Sequence, residues 1–302
     1  MQIISGKTFK PYAIILGGVP GVGKTTWAAQ AEKPLFICGD EVSEFDVDRL
    51  PQVKTWQEFK DQLKWVLETK PKNKTLVIDT IDAMEKMLHT EIINTCPKKK
   101  RSMSEVHGGF GNGYEMAVTE MLEVRDQYIK KIRDELGMNI IVIVHSQKAK
   151  KTDVIHGMEY ETLEMCLHKK IIPLWYDWVS GVFFADHVTY KVEGDNTKKT
   201  FLKSKGERTL YTTQNAAHFG KNRWNLPEEL SLDEFSDFYE RYKAFYEKPP
   251  KAEDIVLAIQ AATKAIKEAN TAEKVLKQVE ESKTNVPKLQ RILTRVQELT
   301  GA

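Results

Sequence analysis

No apolar run in this sequence approaches the roughly 18 residues that a membrane-spanning helix needs. The opening Met1-Gln-Ile-Ile-Ser-Gly-Lys-Thr-Phe-Lys10 also lacks the apolar stretch of a secretory leader. Cysteine is scarce: Cys38, Cys96 and Cys166 are the three present, with no C-x-x-C pair and no histidine at ligand spacing. That argues against structural zinc and a disulfide framework, and a reducing cytoplasm fits best. Neither charge sign dominates. Forty-five basic residues face forty-three acidic ones, for a net charge of +2. No global field attracts a polyanion, and only local clusters can argue for nucleic acid. Internal repeats and long low-complexity segments are missing as well. What remains is a 302-residue chain, 41% hydrophobic and 29% charged. That composition suits a soluble, cytoplasmic protein without a membrane partner: one large α/β domain and a small appendage.

Apolar runs bounded by turn residues predict buried strands at Tyr12–Leu16, Leu35–Cys38, Leu76–Ile78, Ile140–Val144 and Val182–Ala185. Helical periodicity lies between them at Trp56–Thr69, Ile81–Asn94 and Tyr114–Leu136. Such alternation predicts a mostly parallel sheet covered on both faces. Beyond Ala185 the rhythm changes. His187–Val192, Thr200–Ser204 and Thr209–Thr213 read as short antiparallel strands, with a turn at Gly194-Asp195-Asn196, that extend one side of the sheet. Phe235–Tyr246 reads as a closing helix, and Pro249-Pro250 marks a linker. The expected division is a core over residues 1–248 and a C-terminal helical module or arm over 251–302. Ile255, Ile259, Ala262 and Ile266 form one apolar stripe of that module, and Val275 with Val279 a second. Leu289, Ile292, Leu293, Val296 and Leu299 form a third, opened by Asn285 as N-cap.

The chemistry concentrates first at Gly18-Val19-Pro20-Gly21-Val22-Gly23-Lys24-Thr25, a full match to G-x-x-x-x-G-K-[ST]. An apolar strand precedes it and a helical pattern from Thr26 follows, which is the context a phosphate-binding loop requires. Glycines let the backbone N–H groups curl around a β-phosphate, at the positive end of the helix. Lys24 would neutralise the β- and γ-phosphates and the Thr25 hydroxyl would ligate Mg²⁺. Thr75-Leu-Val-Ile-Asp79 is an apolar strand ending in a carboxylate, the Walker B pattern, which makes Asp79 the second Mg²⁺ residue. Asp40 and Glu41 follow the strand Leu35–Cys38, where a carboxylate can polarise an attacking water; either is a candidate general base. His145-Ser146-Gln147 ends the strand Ile140–Val144, and the Gln147 amide stands where α/β sheets bind ligands. Lys221-Asn222-Arg223 is a late basic tripeptide. A guanine-reading N-K-x-D segment is not found, since Asn73-Lys74 is followed by Thr75-Leu76, so ATP is the expected nucleotide.

Taken in this order, the residues from Tyr12 to Pro227 resemble the RecA-like P-loop ATPase superfamily. Ser146-Gln147 stands where that superfamily carries an N–Q pair, and Lys221-Asn222-Arg223 nearly reproduces its K-N-K motif. Arg223 departs from RecA and matches many hexameric helicases. Asp40, rather than a glutamate, aligns with the catalytic acid. The early phosphate loop, the stretch Gly108-Gly-Phe-Gly-Asn-Gly-Tyr114 and the K-N-R-x-x-L-P ending look like the phage-type branch associated with single-strand annealing and recombination. The resemblance implies ATP hydrolysis, single-stranded DNA binding and assembly into a ring or filament, with Lys221 and Arg223 reaching a neighbour's nucleotide.

Two loops are candidates for DNA contact. One runs from Cys96 to Gly113 with Lys98-Lys-Lys-Arg101; the other runs from Lys148 to Lys170 with Lys148, Lys150, Lys151, Lys169 and Lys170, and Asp153, Glu159, Glu161 and Glu164 leave it nearly neutral. Clustered cations favour phosphates, and Phe110 and Tyr160 are placed to stack on bases. The reading this favours is a DNA-dependent ATPase of phage-type recombination, annealing or replication. A hexameric helicase-like motor or helicase-loading partner is the first alternative. A non-motor nucleotide switch that recruits a protein through its C-terminal helices is the second.

Overall fold

The computed structural model describes residues 6–39, 44–98, 100–193, 200–247, 252–264, 266 and 269–300. The chain divides into two compact units, Met1–Tyr246 and Glu247–Ala302. Among the described residues the first unit carries a ten-stranded sheet. Its parallel heart is β1 (Ala13–Gly18), β2 (Pro34–Cys38), β4 (Thr75–Asp79), β5 (Asn139–Asp153) and β7 (Gly181–Glu193), with the short β3 (Asp48–Arg49) at one edge. Antiparallel β8 (Thr200–Tyr211) and β10 (Glu229–Ser231) extend the other side, giving the order β10-β8-β7-β1-β5-β4-β2-β3. The short β9 (Lys221–Asn222) pairs with the start of β7, and β6 (Met158–Met165) pairs with the far half of β5.

Period-two alternation along the strands sorts their side chains onto two faces. Ala13, Ile15, Ile37, Leu76, Ile78, Ile140 and Val142 face one way. They are covered by α2 (Trp56–Thr69), α3 (Ile81–Asn94), α4 (Asn112–Glu123), α5 (Lys130–Leu136) and α6 (Ile172–Trp178). Ile14, Leu16, Phe36, Val77, Ile141 and Phe183 face the other way, under α1 (Lys24–Ala29) and α7 (Phe235–Tyr246). There the Trp27 and Phe235 rings meet with centroids 4.6 Å apart, which fastens the short helix after the phosphate loop to the closing helix. The run expected as one helix over Tyr114–Leu136 is continuous, with a π-helical turn at Val124–Ile129 between α4 and α5.

Three expectations need correction. Strand β5 does not end near Val144 but continues to Asp153, so the segment expected as a loop from Lys148 is an antiparallel ribbon, β5–β6, with Gln147 inside it rather than at a strand end. Strand β7 likewise runs unbroken through the segment expected to start anew at His187. The two short strands expected at Thr200–Ser204 and Thr209–Thr213 are one strand, β8. In each case the ladder to an antiparallel neighbour, rather than burial, extends the strand; polar residues then continue a β-strand without an apolar face to announce it. The expected turn at Gly194-Asp195-Asn196 lies outside the described residues.

In the second unit α8 (Ala252–Thr263), α9 (Ala269–Glu280) and α10 (Val286–Thr300) bury Ile255, Ile259, Val279, Leu289 and Val296 against one another. Asn285 Oδ1 accepts the Lys288 N–H at 3.1 Å. Among the described residues no helix is long and apolar enough to cross a membrane.

Candidate active site

The phosphate loop leaves the buried strand β1 at Gly18 and enters α1 at Lys24. Gly18 is required sterically: a Cβ there would stand 2.3 Å from the Ala185 carbonyl oxygen on the neighbouring strand. Gly23 caps α1 with φ 106°, in the left-handed region that favours glycine. Lys24 is buried, and its Nζ donates to the carbonyls of Gly18 at 3.1 Å and Val19 at 2.8 Å. Burial holds its pKa below the usual lysine value, while Asp79 and Asp82 pull it back up. A cation kept in an unfavourable place is a mark of function rather than of packing.

Strand β4 lies two places from β1 and delivers Asp79 to the loop, where Asp79 Oδ2 accepts the Thr25 hydroxyl at 2.7 Å. These are hard oxygen donors, the chemistry Mg²⁺ prefers. Among the described residues no group of three His, Cys, Asp or Glu converges to cage a metal. Thr25 and Asp79 therefore fit a cation that takes its remaining ligands from water and phosphate. Thr80 caps α3, accepting the Ala83 N–H at 3.4 Å. Asp40 and Glu41, the candidate bases, lie outside the described residues.

Two buried acids on α3 were not legible in the sequence. Asp82 accepts the His145 N–H at 3.1 Å through Oδ1, and its Oδ2 lies 3.1 Å from His145 Nδ1. Burial raises this carboxyl, but the His145 and Thr80 donors outweigh it and hold the group below the usual carboxylate range. Glu85 accepts the His168 N–H with both oxygens, each at 3.1 Å. Helix α3 thereby holds β5 and the segment that leaves β6, at the root of the ribbon. Tyr114 stacks on His168 with centroids 4.1 Å apart, which ties the start of α4 to the same place. The available signal was acids at positions 82 and 85 beside the apolar stripe Ile81, Met84, Leu88 and Ile92, a pattern that otherwise reads as a solvated flank.

Glu85 supplies a pH test. Burial pushes its carboxyl from 4.5 up to about 7, partly offset by the His168 N–H, with Asp82 adding to the rise and Lys86 opposing it. His89 Nε2, 3.4 Å away, offers little countercharge because burial lowers its own pKa. Between those two values the folded state binds the proton that the unfolded state has released, so stability falls as pH rises through the window and is flat above it. The full effect is about 3 kcal/mol at most. Glu85→Gln keeps an acceptor for His168 and removes the titration. Thermal melts at about pH 5 and about pH 8 should show a larger loss of midpoint temperature in the wild type than in the variant; equal losses would mean Glu85 does not titrate there.

The remaining expected residues stand apart from the loop. His145 is level with Gly18, and Gln147 lies two residues farther out, its Nε2 donating to the Met165 carbonyl at 3.3 Å. Lys221 and Asn222 pair with Val182 and Gly181, the residues opposite Ile15 and Ile14 of β1. At about 3.3 Å per residue this sets them about 10 Å or more from Gly18, toward the amino-terminal edge of the sheet. Lys221 Nζ donates there to the carbonyls of Tyr176 at 2.6 Å and Asp177 at 3.3 Å, at the end of α6.

No curated protein matches the chain in a sequence comparison. A family model described as an AAA domain matches residues 10–224, which span the phosphate loop, Asp79, the ribbon and Arg223. The match covers most of the chain and includes β1, α1 and β4, which carry the loop and Asp79. The chain therefore belongs to the AAA domain family, an AAA-type family of P-loop ATPases.

Proposed function

We propose that this ATPase is RecA-like and couples ATP turnover to single-stranded DNA, in recombination, annealing or replication of the phage type. The observation that carries the reading is the grip of α3 on the ribbon. The helix capped directly after Asp79 holds the two-stranded arm at its base, through Asp82 to His145 on β5 and through Glu85 to His168, three residues past β6. A change in the nucleotide's charge at Asp79 thus has a short, buried route to that arm. Lys148 and Lys150 are exposed on the arm, and Val154, Ile155 and Met158 are exposed at its tip. The other candidate segment, between α3 and α4, flanks a cavity of about 720 Å³ whose lining includes Lys98, Lys100 and Phe110. The Phe110 ring is fully exposed on a backbone with φ 54°, open to a base.

In this reading the loop amides and Lys24 hold the β- and γ-phosphates, and Thr25 and Asp79 hold Mg²⁺. That ion, when bound, neutralises charge between the two phosphates. Asp40 or Glu41 orients the water. The test is a salt titration of single-strand binding. Neutralising Lys98, Lys99, Lys100 and Arg101 to glutamine should lower the log–log slope by about 0.7 for each DNA phosphate that the segment no longer neutralises. An unchanged slope would remove this segment from the DNA path.

One feature favours the reading in which the C-terminal helices recruit a partner. Helices α9 and α10 enclose a cavity of about 500 Å³ whose lining includes Lys274, Lys288, Arg291 and Arg295, a setting suited to an anionic protein segment.

A further inference from the structure

Asp79 approaches the phosphate loop from one side of β1; the ion pair of Arg208 and Asp233 approaches from the other. Strand β8 stands two places from β1 on the side away from β4. Gly18 lies opposite Ala185, and two residues on, His187 lies opposite Arg208, so Arg208 stands just beyond the level of Gly18, beside the loop. Its Nη1 donates to the Val22 carbonyl at 3.3 Å and stands 2.4 Å from where a Cβ on residue 23 would project. Its Nη2 pairs with the Asp233 carboxylate. Asp233 is fixed in turn: its carbonyl accepts the Gln30 Nε2–H at 3.0 Å, and Gln30 Oε1 accepts the Phe235 N–H at 3.2 Å. The pair is thus anchored to both ends of α1, and the two side chains remain 30% and 57% exposed.

Thr25 and Asp79 take one side of the loop for Mg²⁺ and the γ-phosphate, which leaves the side where Arg208 reaches Val22 open for the sugar and base. We propose that Arg208 and Asp233 are the base-side contact of the site and select adenine over guanine. Adenine presents an acceptor, N7, beside a donor, the N6 amino group, whereas guanine presents two acceptors, N7 and O6. Arg208 offers only donors and Asp233 only acceptors, and side by side they complement adenine. Guanine would set O6 against the Asp233 carboxylate. This rests on the nucleotide reading of the loop and adds to it the residues that read the base.

The test is equilibrium binding by the full chain of ATP, GTP and inorganic tripolyphosphate, with folding checked by circular dichroism. Arg208→Ala should weaken ATP by about tenfold to a hundredfold and leave tripolyphosphate within about twofold, because the latter has no base to contact. Arg208→Lys keeps a cation for the Val22 carbonyl and loses the planar fork, so it should show the same selective loss in smaller measure. Asp233→Asn, whose amide can also donate, should narrow the preference for ATP over GTP by about tenfold. Equal weakening of ATP and tripolyphosphate would make Arg208 a brace for the loop and overturn the proposal. An unchanged ATP affinity in Arg208→Ala, or an unchanged ATP-to-GTP ratio in Asp233→Asn, overturns it too. Wild-type protein that binds none of the three ligands would instead overturn the nucleotide reading itself.

Discussion

Lys24→Ala is expected to reduce ATP hydrolysis to background while the protein stays folded. The functional half follows from charge. Lys24 is the cation at the start of α1 within reach of the transferred phosphate, and the loop amides that remain are neutral dipoles. Losing one preorganised neutral donor in such a site costs about 10²–10³ in rate, and a full charge should cost at least as much. The structural half follows from the lysine's burial, which is at odds with the ordinary picture of a solvated lysine on a loop. Its depressed pKa means that the charged form is held against desolvation. Truncation therefore removes a folding cost together with two hydrogen bonds to the Gly18 and Val19 carbonyls. Steady-state phosphate release and far-ultraviolet circular dichroism check the two halves. A folded variant with wild-type turnover would falsify the assignment of the loop.

What the sequence shows plainly and what it hides differ in how locally they are encoded. The phosphate loop was legible because its strand, glycines, lysine and threonine are contiguous. Helix α7 was legible to its end residues, since Phe235, Phe238 and Tyr242 repeat at helical spacing and are all buried. Strands β1, β2 and β4 announced themselves as short apolar runs between turns. The outer half of β5 did not, because its residues are polar and are held by an antiparallel ladder rather than by a core; that of β7 was read as a strand, His187–Val192, but not as the continuation of Val182–Ala185. The acid grip was hidden for a different reason. Asp82 meets His145 across 63 positions of sequence and Glu85 meets His168 across 83. Arg208 meets Val22 across 186. A carboxylate or guanidinium on an element's flank reads as solvated until the fold brings its partner to it. The tripeptide Lys221-Asn222-Arg223 was visible as a motif, but its distance from its own phosphate loop required the register of β9 on β7.

That distance bears on the second large effect, which concerns Lys221 and Arg223 acting on the nucleotide of a neighbouring subunit. The γ-phosphate gathers negative charge as it leaves, and within one chain Lys24 faces it from the loop side. Lys221 pairs at the level of Ile15, so the basic tripeptide is turned away from its own loop and toward the amino-terminal rim of the sheet. Its lysine is held below the usual pKa by burial and by Arg223 beside it, a clustering of cations that an anion from another molecule would relieve. Arg suits the role because its planar fork bridges two phosphate oxygens. Cations supplied in this way are worth about 10³–10⁵ in rate in other phosphoryl-transfer enzymes. Lys221→Ala combined with Arg223→Ala should therefore lower turnover by about a thousandfold or more, on the order of the smaller such effects, and leave nucleotide affinity nearly unchanged. Mixing this variant with Lys24→Ala protein separates the two arrangements. Each is inactive alone, but in an equal random mixture about a quarter of head-to-tail interfaces join an intact loop to an intact basic tripeptide. Activity should return toward a quarter of the wild-type rate at most. If native mass measurement shows mixed assemblies and no activity returns, Lys221 and Arg223 do not serve a neighbouring site, and assembly of the RecA type loses its chemical reason.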